Sequence, residues 1–123
     1  MAFAEPQFQL SEEDLDERTH VIAIAGEIHV STAPRFSVLL DSAIGRGKTA
    51  VVLDLSAVEF IDSTGLSVLL NGLRRVTRQR GHMSLVCTNP TVLRLFEITR
   101  LDATFDIHAS REEAISAVRS ASG

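Results

Sequence analysis

Apolar and polar positions along this chain change period several times, and the changes mark its elements. Val51-Val52-Leu53-Asp54-Leu55 is an apolar, β-branched run, the pattern of a buried strand. Beyond it Leu66, Leu69, Leu70, Leu73 and Val76 recur at helical spacing, so the strand feeds a helix through the connection Ser56–Thr64. Upstream, Val21-Ile22-Ala23-Ile24-Ala25 is a second apolar strand, closed by Gly26. The stretch from Phe8 to Leu15, interrupted by Glu12-Glu13-Asp14, predicts an edge strand. Asp16-Glu17-Arg18 is the turn that joins the two as an antiparallel hairpin. Glu27 to Thr32 then reads as a loop. Ser31 or Thr32 is placed to cap a helix with Pro34 in its first turn, where a missing N–H costs nothing. Phe36, Leu39, Leu40, Ala43 and Ile44 supply its buried stripe, and Gly45 and Gly47 stop it.

After the second helix Gly81 is placed as the C′ residue, and His82–Cys87 is another strand that Asn89-Pro90 breaks. Thr91 to Thr99 follows as a short helix with Val92, Leu93, Leu95 and Phe96 inside, and Thr104–Ile107 is a last short strand. Ser110-Arg111-Glu112-Glu113 has the capping-box form and opens a helix carrying Ala114, Ile115, Ala117 and Val118; Ser120–Gly123 should fray. The order ββαβαβαβα predicts one α/β domain over residues 1–123 with its core at about 8–118. Alternation from the second strand onward implies a mixed, mainly parallel sheet with an N-terminal hairpin, right-handed crossovers and about four helices.

Composition narrows the function. With 45% apolar and 23% charged residues in 123, the chain has the make-up of an ordinary folded domain. Its net charge of −4 argues against nucleic-acid binding, and Arg74, Arg75, Arg78 and Arg80 cluster where they complement a helix C-terminus. Cys87 stands alone at the end of an apolar strand, which suits an inert buried thiol in a reducing compartment. Met1–Pro6 lacks the basic and apolar regions of a signal peptide, and no run is long enough to span a bilayer. The expected setting is cytoplasmic, without membrane association.

Parallel strands end together on one sheet edge, where ligands and partners are met. Glu27–Thr32, Ser56–Thr64 and Thr88–Asn89 converge there, which makes Ser63 a neighbour of the Gly26–Thr32 loop in space. A serine at a strand-to-helix turn can cap the helix, act as a nucleophile or carry a phosphate. Ile61 stands where a nucleophile elbow needs its first glycine, and His82 and His108 hold no triad position, so hydrolysis is disfavoured. Gly45-Arg46-Gly47-Lys48-Thr49 resembles the end of a phosphate-binding loop, but Ser42 replaces the required glycine and the order is helix then strand. His20, His29, His82 and His108 are scattered without ligand spacing, so no metal is expected. Asp54 and Asp62 are two carboxylates near one edge without an evident substrate pocket, and no cofactor is implied. A phosphate on Ser63 would add about −1.5 to −2 charge, where helix N–H groups and the dipole favour an anion. On the residues alone, a merely capping Ser63 or Thr64 and a phosphorylated switch both remain open.

Three pieces together resemble the STAS family, in particular the free-standing anti-sigma factor antagonists of bacteria. They are Gly26-Glu27-Ile28 with Thr32-Ala33-Pro34; Val52-Leu53-Asp54-Leu55-Ser56 with Phe60-Ile61-Asp62-Ser63-Thr64-Gly65-Leu66; and Leu95-Phe96-Glu97-Ile98-Thr99 with Leu101 and Phe105. They run in order over residues 8 to 118. The resemblance implies that Ser63 is the phosphoacceptor, that Thr64 supports the turn, and that Gly65 permits close backbone approach. It implies a non-enzymatic protein whose unphosphorylated form binds an anti-sigma factor serine kinase and so frees a sigma factor. Phosphorylation would end the association and a serine phosphatase would restore it. The implied partner face takes Glu27, His29, Ser31 and Thr32 from one loop, and Asp62, Ser63, Thr64, Gly65 and Leu66 from the other. Leu66, if exposed, would be an apolar anchor. His29 departs from an acidic residue that family members often carry at this place, near the phosphoacceptor. The rival expectations are a never-phosphorylated scaffolding subunit of a signalling or lipid-transport assembly and a domain severed from an anion transporter; the lack of a spanning segment counts against the latter. Self-association stays open.

Overall fold

The computed structural model describes residues 8–122. The elements run β1 (Gln9–Asp14), β2 (Thr19–Ile28), α1 (Ala33–Gly45), β3 (Ala50–Ile61), α2 (Ser63–Arg78), β4 (His82–Val86), α3 (Pro90–Ile98), a 3-10 turn (Leu101–Ala103), β5 (Asp106–His108) and α4 (Arg111–Ser122). The strands lie side by side in chain order, with β1 antiparallel to β2 and every later pair parallel. Each crossover therefore steps the same way. Right-handed connections that never reverse must put their helices on one face. Phe36 and Leu40 of α1, Leu69 and Val76 of α2, and Val92 and Phe96 of α3 accordingly share one core with Ile22, Ile24, Leu53, Leu55 and Leu85 of the sheet. Among the described residues the other face carries α4 alone, whose Ala114 and Val118 cover Val21, Ala50, Val52 and Val86. Ahead of α4 the described residues leave a concavity of about 510 Å³, floored by Ala23, Ala25, Ser56 and Ala57 and bordered by Phe8, Arg35 and Arg111.

Two strands are longer than their apolar runs predict. β2 begins at Thr19 and continues through Gly26 to Ile28, and β3 continues through Ser56–Phe60, a stretch read from sequence as a connection. The extra residues pair with each other beyond the end of β4, with register shifts between Ala23 and Ala25 and between Gly26 and Glu27. Each shift gives β3 an additional residue, as a bulge does, so Leu55, Val58 and Ile61 face inward at a spacing of three. A period of three fits neither strand nor helix templates, which is why the extension escapes them. Gly26 takes φ +98° at the second shift, where a side chain would be strained.

Other differences are local. Arg80, not Gly81, holds the left-handed C′ conformation after α2, at φ +61°. Gly81 is required instead by contact, because a Cβ there would lie 2.5 Å from the Thr49 carbonyl oxygen. β4 stops at Val86, before Cys87, and β5 starts at Asp106 because Leu101–Ala103 forms the 3-10 turn before it. Half of the capping box at Ser110 forms: the Glu113 N–H donates to Ser110 Oγ at 3.2 Å, and the Glu113 carboxylate accepts from the same hydroxyl at 3.1 Å. The helix it opens reaches Ser122 rather than fraying from Ser120. Met1–Pro6 and Gly123 lie outside the described residues.

Candidate functional site

β2 and β3 end in register at Ile28 and Ile61, and the two following turns meet. The Asp62 N–H donates to Ile28 O at 3.0 Å. Three residues on, Gly65 is packed so closely against β2 that a Cβ would sit 2.6 Å from Ile61 Cγ1, 2.8 Å from Ile28 Cγ2 and 3.0 Å from Ile28 O. The absence of a side chain at Gly65 therefore lets the first turn of α2 lie on the end of β2. Asn89, from the third connection, donates to Val58 O at 3.2 Å and caps α3 by accepting the Thr91 N–H at 2.9 Å. The turns after β2, β3 and β4 converge as expected, although Ser56–Ile61 of the second predicted connection is strand.

The cap of α2 is Asp62, whose Oδ1 accepts the Gly65 N–H at 3.0 Å. Neither Ser63 nor Thr64 caps the helix. Ser63 is its first residue and is exposed, and its hydroxyl carries none of the hydrogen bonds found among the described residues. Its carbonyl accepts from Ser67 Oγ at 2.9 Å. A carboxylate that satisfies the helix end leaves the neighbouring hydroxyl unengaged and facing solvent. Thr64 is half-buried beside it.

The facing loop is built on Thr32. Its hydroxyl donates to Glu27 O at 2.6 Å and accepts the His29 N–H at 2.9 Å, so it ties the loop together instead of capping α1, at whose N-cap it stands. His29 Nδ1 accepts the Ser31 N–H at 3.2 Å. In the neutral ring that assigns the proton to Nε2, which lies 3.8 Å from Glu27 Oε1. Ser31 is exposed, and Glu27 and His29 are partly so.

One site expectation needs correction. Leu66 is only 8% exposed and belongs to the core, so it offers no anchor to a partner. The exposed apolar side chains flanking the turn and the loop are Phe60, at 46%, and Val30, at 69%. Sequence reading missed both. Phe60 hides in the three-residue period of bulged β3, and Val30 was legible only as an apolar residue in a polar loop. Asp54 and Asp62 do not form a pair. Asp54 accepts from Arg111 at 2.8 and 3.0 Å and from the Ser56 N–H at 3.0 Å, on the face of α4. Burial pushes the Asp54 carboxyl up, but the bonds from Ser56 and Arg111 outweigh it and hold the group below the ordinary range. Lys48 of the phosphate-loop-like segment is 7% exposed and donates to the carbonyls of Asp16 and Glu17 at 2.9 and 3.2 Å, which makes it a structural clamp. Among the described residues no group of three or more His, Cys, Asp or Glu side chains could hold a metal ion, and no helix is long and apolar enough to cross a membrane. Cys87 is buried, and that burial pushes its thiol up.

Residues 13–114 match the STAS domain, and the chain belongs to that family. Anti-sigma-F factor antagonist RsfB of Mycobacterium tuberculosis is 31% identical over 99 residues, 80% of either chain. A crystal structure of an anti-sigma factor antagonist from Mycobacterium paratuberculosis superposes with a TM-score of 0.83 at 32% identity, over 92% of this chain and 95% of that one. The anti-sigma factor antagonist SpoIIAA matches at 28% identity in two states. Its unphosphorylated form has a TM-score of 0.78 over 93% of this chain and 97% of that one. Its phosphorylated form, from Bacillus, has a TM-score of 0.70 over 92% and 100%.

Proposed function

We propose that this protein is a cytoplasmic anti-sigma factor antagonist, itself without catalytic activity, whose docking face is switched by phosphorylation of Ser63. The unphosphorylated form binds an anti-sigma factor that is also a serine kinase and so frees a sigma factor. Transfer of phosphate from the kinase's ATP to Ser63 Oγ ends the association, and a serine phosphatase reverses it. The reading rests on one observation above the rest: Ser63 stands exposed at the first position of α2 with Asp62 already serving as the cap. A phosphate added there meets helix N–H groups and the positive end of the dipole, so the fold accepts it. The same charge, added next to Asp62 where β2 and β3 end together, makes what a docking protein meets strongly anionic. The names carried by the relatives and the two states of SpoIIAA support the same reading.

Incubation with the cognate kinase and ATP, followed by mass mapping, is expected to place phosphate on Ser63 alone. Ser63→Ala should bind the kinase as the native protein does, whereas Ser63→Glu should lose at least tenfold in affinity while keeping the native melting temperature within a few degrees. Phosphate elsewhere, or equal binding by Ser63→Glu, would overturn the proposal. His29→Asp restores the acid often found at this position in the family, and a rise in kinase affinity is the expected result.

A further inference from the structure

The concavity ahead of α4 shares no residue with the turn that carries Ser63 or with its facing loop. Where α4 covers the sheet, the strands present Val21, Val52 and Val86. Ahead of it they present Ala23 and Ala25 of β2 and Ala57 of β3, with Ala25 and Ala57 in register. Methyl side chains on paired strands make a shelf on which a flat molecule can approach the backbone closely. Gln9 and Ser11 of β1, in register with Ala25 and Ala23, line one side, and Phe8 stands just before them. The volume of about 510 Å³ lies within the roughly 300–1,000 Å³ of small-molecule sites.

The border is built around two arginines. Arg111 opens α4 and is pinned by Asp54: its Nε and Nη2 donate to Oδ2 at 3.0 and 2.8 Å, while Oδ1 accepts the Ser56 N–H at 3.0 Å. The N–H groups of its Nη1 are left without a partner among the described residues. Arg35 of α1 holds its guanidinium 5.2 Å from the centroid of the Phe8 ring, and its side-chain N–H groups have no hydrogen-bond partner among the described residues. These two and Asp54 are the charged residues lining the concavity, so its border carries one positive charge in excess, in a chain whose net charge is −4. We propose that the concavity binds an aromatic carboxylate, its ring laid on the shelf of Ala23, Ala25 and Ala57 and its carboxylate received by Arg35 and by Nη1 of Arg111. An arginine fork meets a carboxylate through parallel, charge-assisted hydrogen bonds. A phosphate monoester, at about −1.5 to −2 near neutral pH, exceeds the single charge on offer. The flat floor selects a ring, and Phe8 offers it a second ring to pack against.

The full chain, labelled with 13C at its alanine methyls, can be titrated with 2-naphthoate and followed by NMR. Saturable shifts are expected at the methyls of Ala23, Ala25 and Ala57, with a dissociation constant of about 1 mM or below, as suits a ligand of this size. The neutral 2-naphthylmethanol and the flexible decanoate should each bind about tenfold more weakly, the first for want of the charge-assisted bonds and the second for want of a ring. Arg35→Gln, at an exposed position of α1, should weaken naphthoate by about tenfold at unchanged melting temperature. Ala57→Leu, at an exposed position of β3, fills the shelf and should abolish binding. No saturation at these methyls, equal binding of the alcohol or of decanoate, or undiminished binding by either variant would each overturn the proposal. Contacts from the chain's own Phe3 ring to the three methyls in the free protein would show the shelf already taken, and would overturn it too. If one variant fails to fold, the other and the comparison of ligands on the native chain still decide.

Discussion

At the scale of single residues, the site depends on what Gly65 lacks and what Asp62 supplies. An alanine inside a helix normally gains about 1 kcal/mol over glycine. At Gly65 the added methyl would press on Ile61 Cγ1 and Ile28 Cγ2 at 2.6 and 2.8 Å, and on the Ile28 carbonyl at 3.0 Å. Overpacking of this kind costs about 1–3 kcal/mol, so Gly65→Ala is expected to lower the urea midpoint and to displace Ser63 from the facing loop. Gly45 is the control. It ends α1 with nothing within 4 Å of its missing Cβ, and Gly45→Ala should stabilise by about 0.4–1 kcal/mol. Asp62→Ala removes the cap of α2 and is expected to cost about 1 kcal/mol, read as a lower urea midpoint at unchanged slope.

At the scale of elements, the alternating strands and helices, the parallel sheet and the convergence of three loops were legible because each rests on a run of residues with one period. Ser63, Asp62 and Gly65 were found for the same reason, since they stand where a β-branched run gives way to helical spacing. What escaped was set by contacts between elements. The extension of β3 is held by β2 through bulges, and its period of three hid Phe60. The assignment of Leu66 failed because the turn's exit angle, set by Gly65 against Ile28, decides which way that side chain points. Gly81 was rightly singled out as special, but for backbone freedom where the cause is backbone contact. That distinction is testable. Gly81→Ala drives a Cβ to 2.5 Å from Thr49 O and 2.9 Å from Thr49 Cα, atoms that cannot yield without moving the start of β3, and should destabilise by about 1–3 kcal/mol. Arg80→Gly relieves a non-glycine residue at φ +61° and should stabilise by up to about 1 kcal/mol. Had Gly81 been the left-handed C′ residue, Arg80→Gly would give no gain.

At the scale of the whole molecule, four aspartates tie the outlying elements to the central strands, and each is held below its ordinary range. Asp14 joins β1 to His20 and Lys48. Asp16 takes N–H bonds from Arg18 and Thr19 in the hairpin turn, which lower it to about 2, and it also meets Arg119 of α4. Burial raises Asp54, but Ser56 and the Arg111 guanidinium of α4 outweigh it. Burial likewise raises Asp106, and the His108 ring 2.8 Å away and the bond from Ser84 of β4 outweigh that in turn. A carboxyl lowered in the folded state binds fewer protons there than in the unfolded chain, so its contribution is complete above the unfolded value and fades as pH falls through the folded one. For Asp16 the window runs from roughly pH 4 down to about 2. The urea midpoint should therefore hold steady at mildly acidic pH and fall steeply through that window. Asp16→Asn should start lower at pH 6 and lose less between pH 4 and 2. Two of the four aspartates hold α4, the only cover that the described residues place on its face of the sheet. Acid should accordingly expose α4 amides to hydrogen exchange before those of β3, and equal loss in the two would show that these bonds carry no share of the attachment.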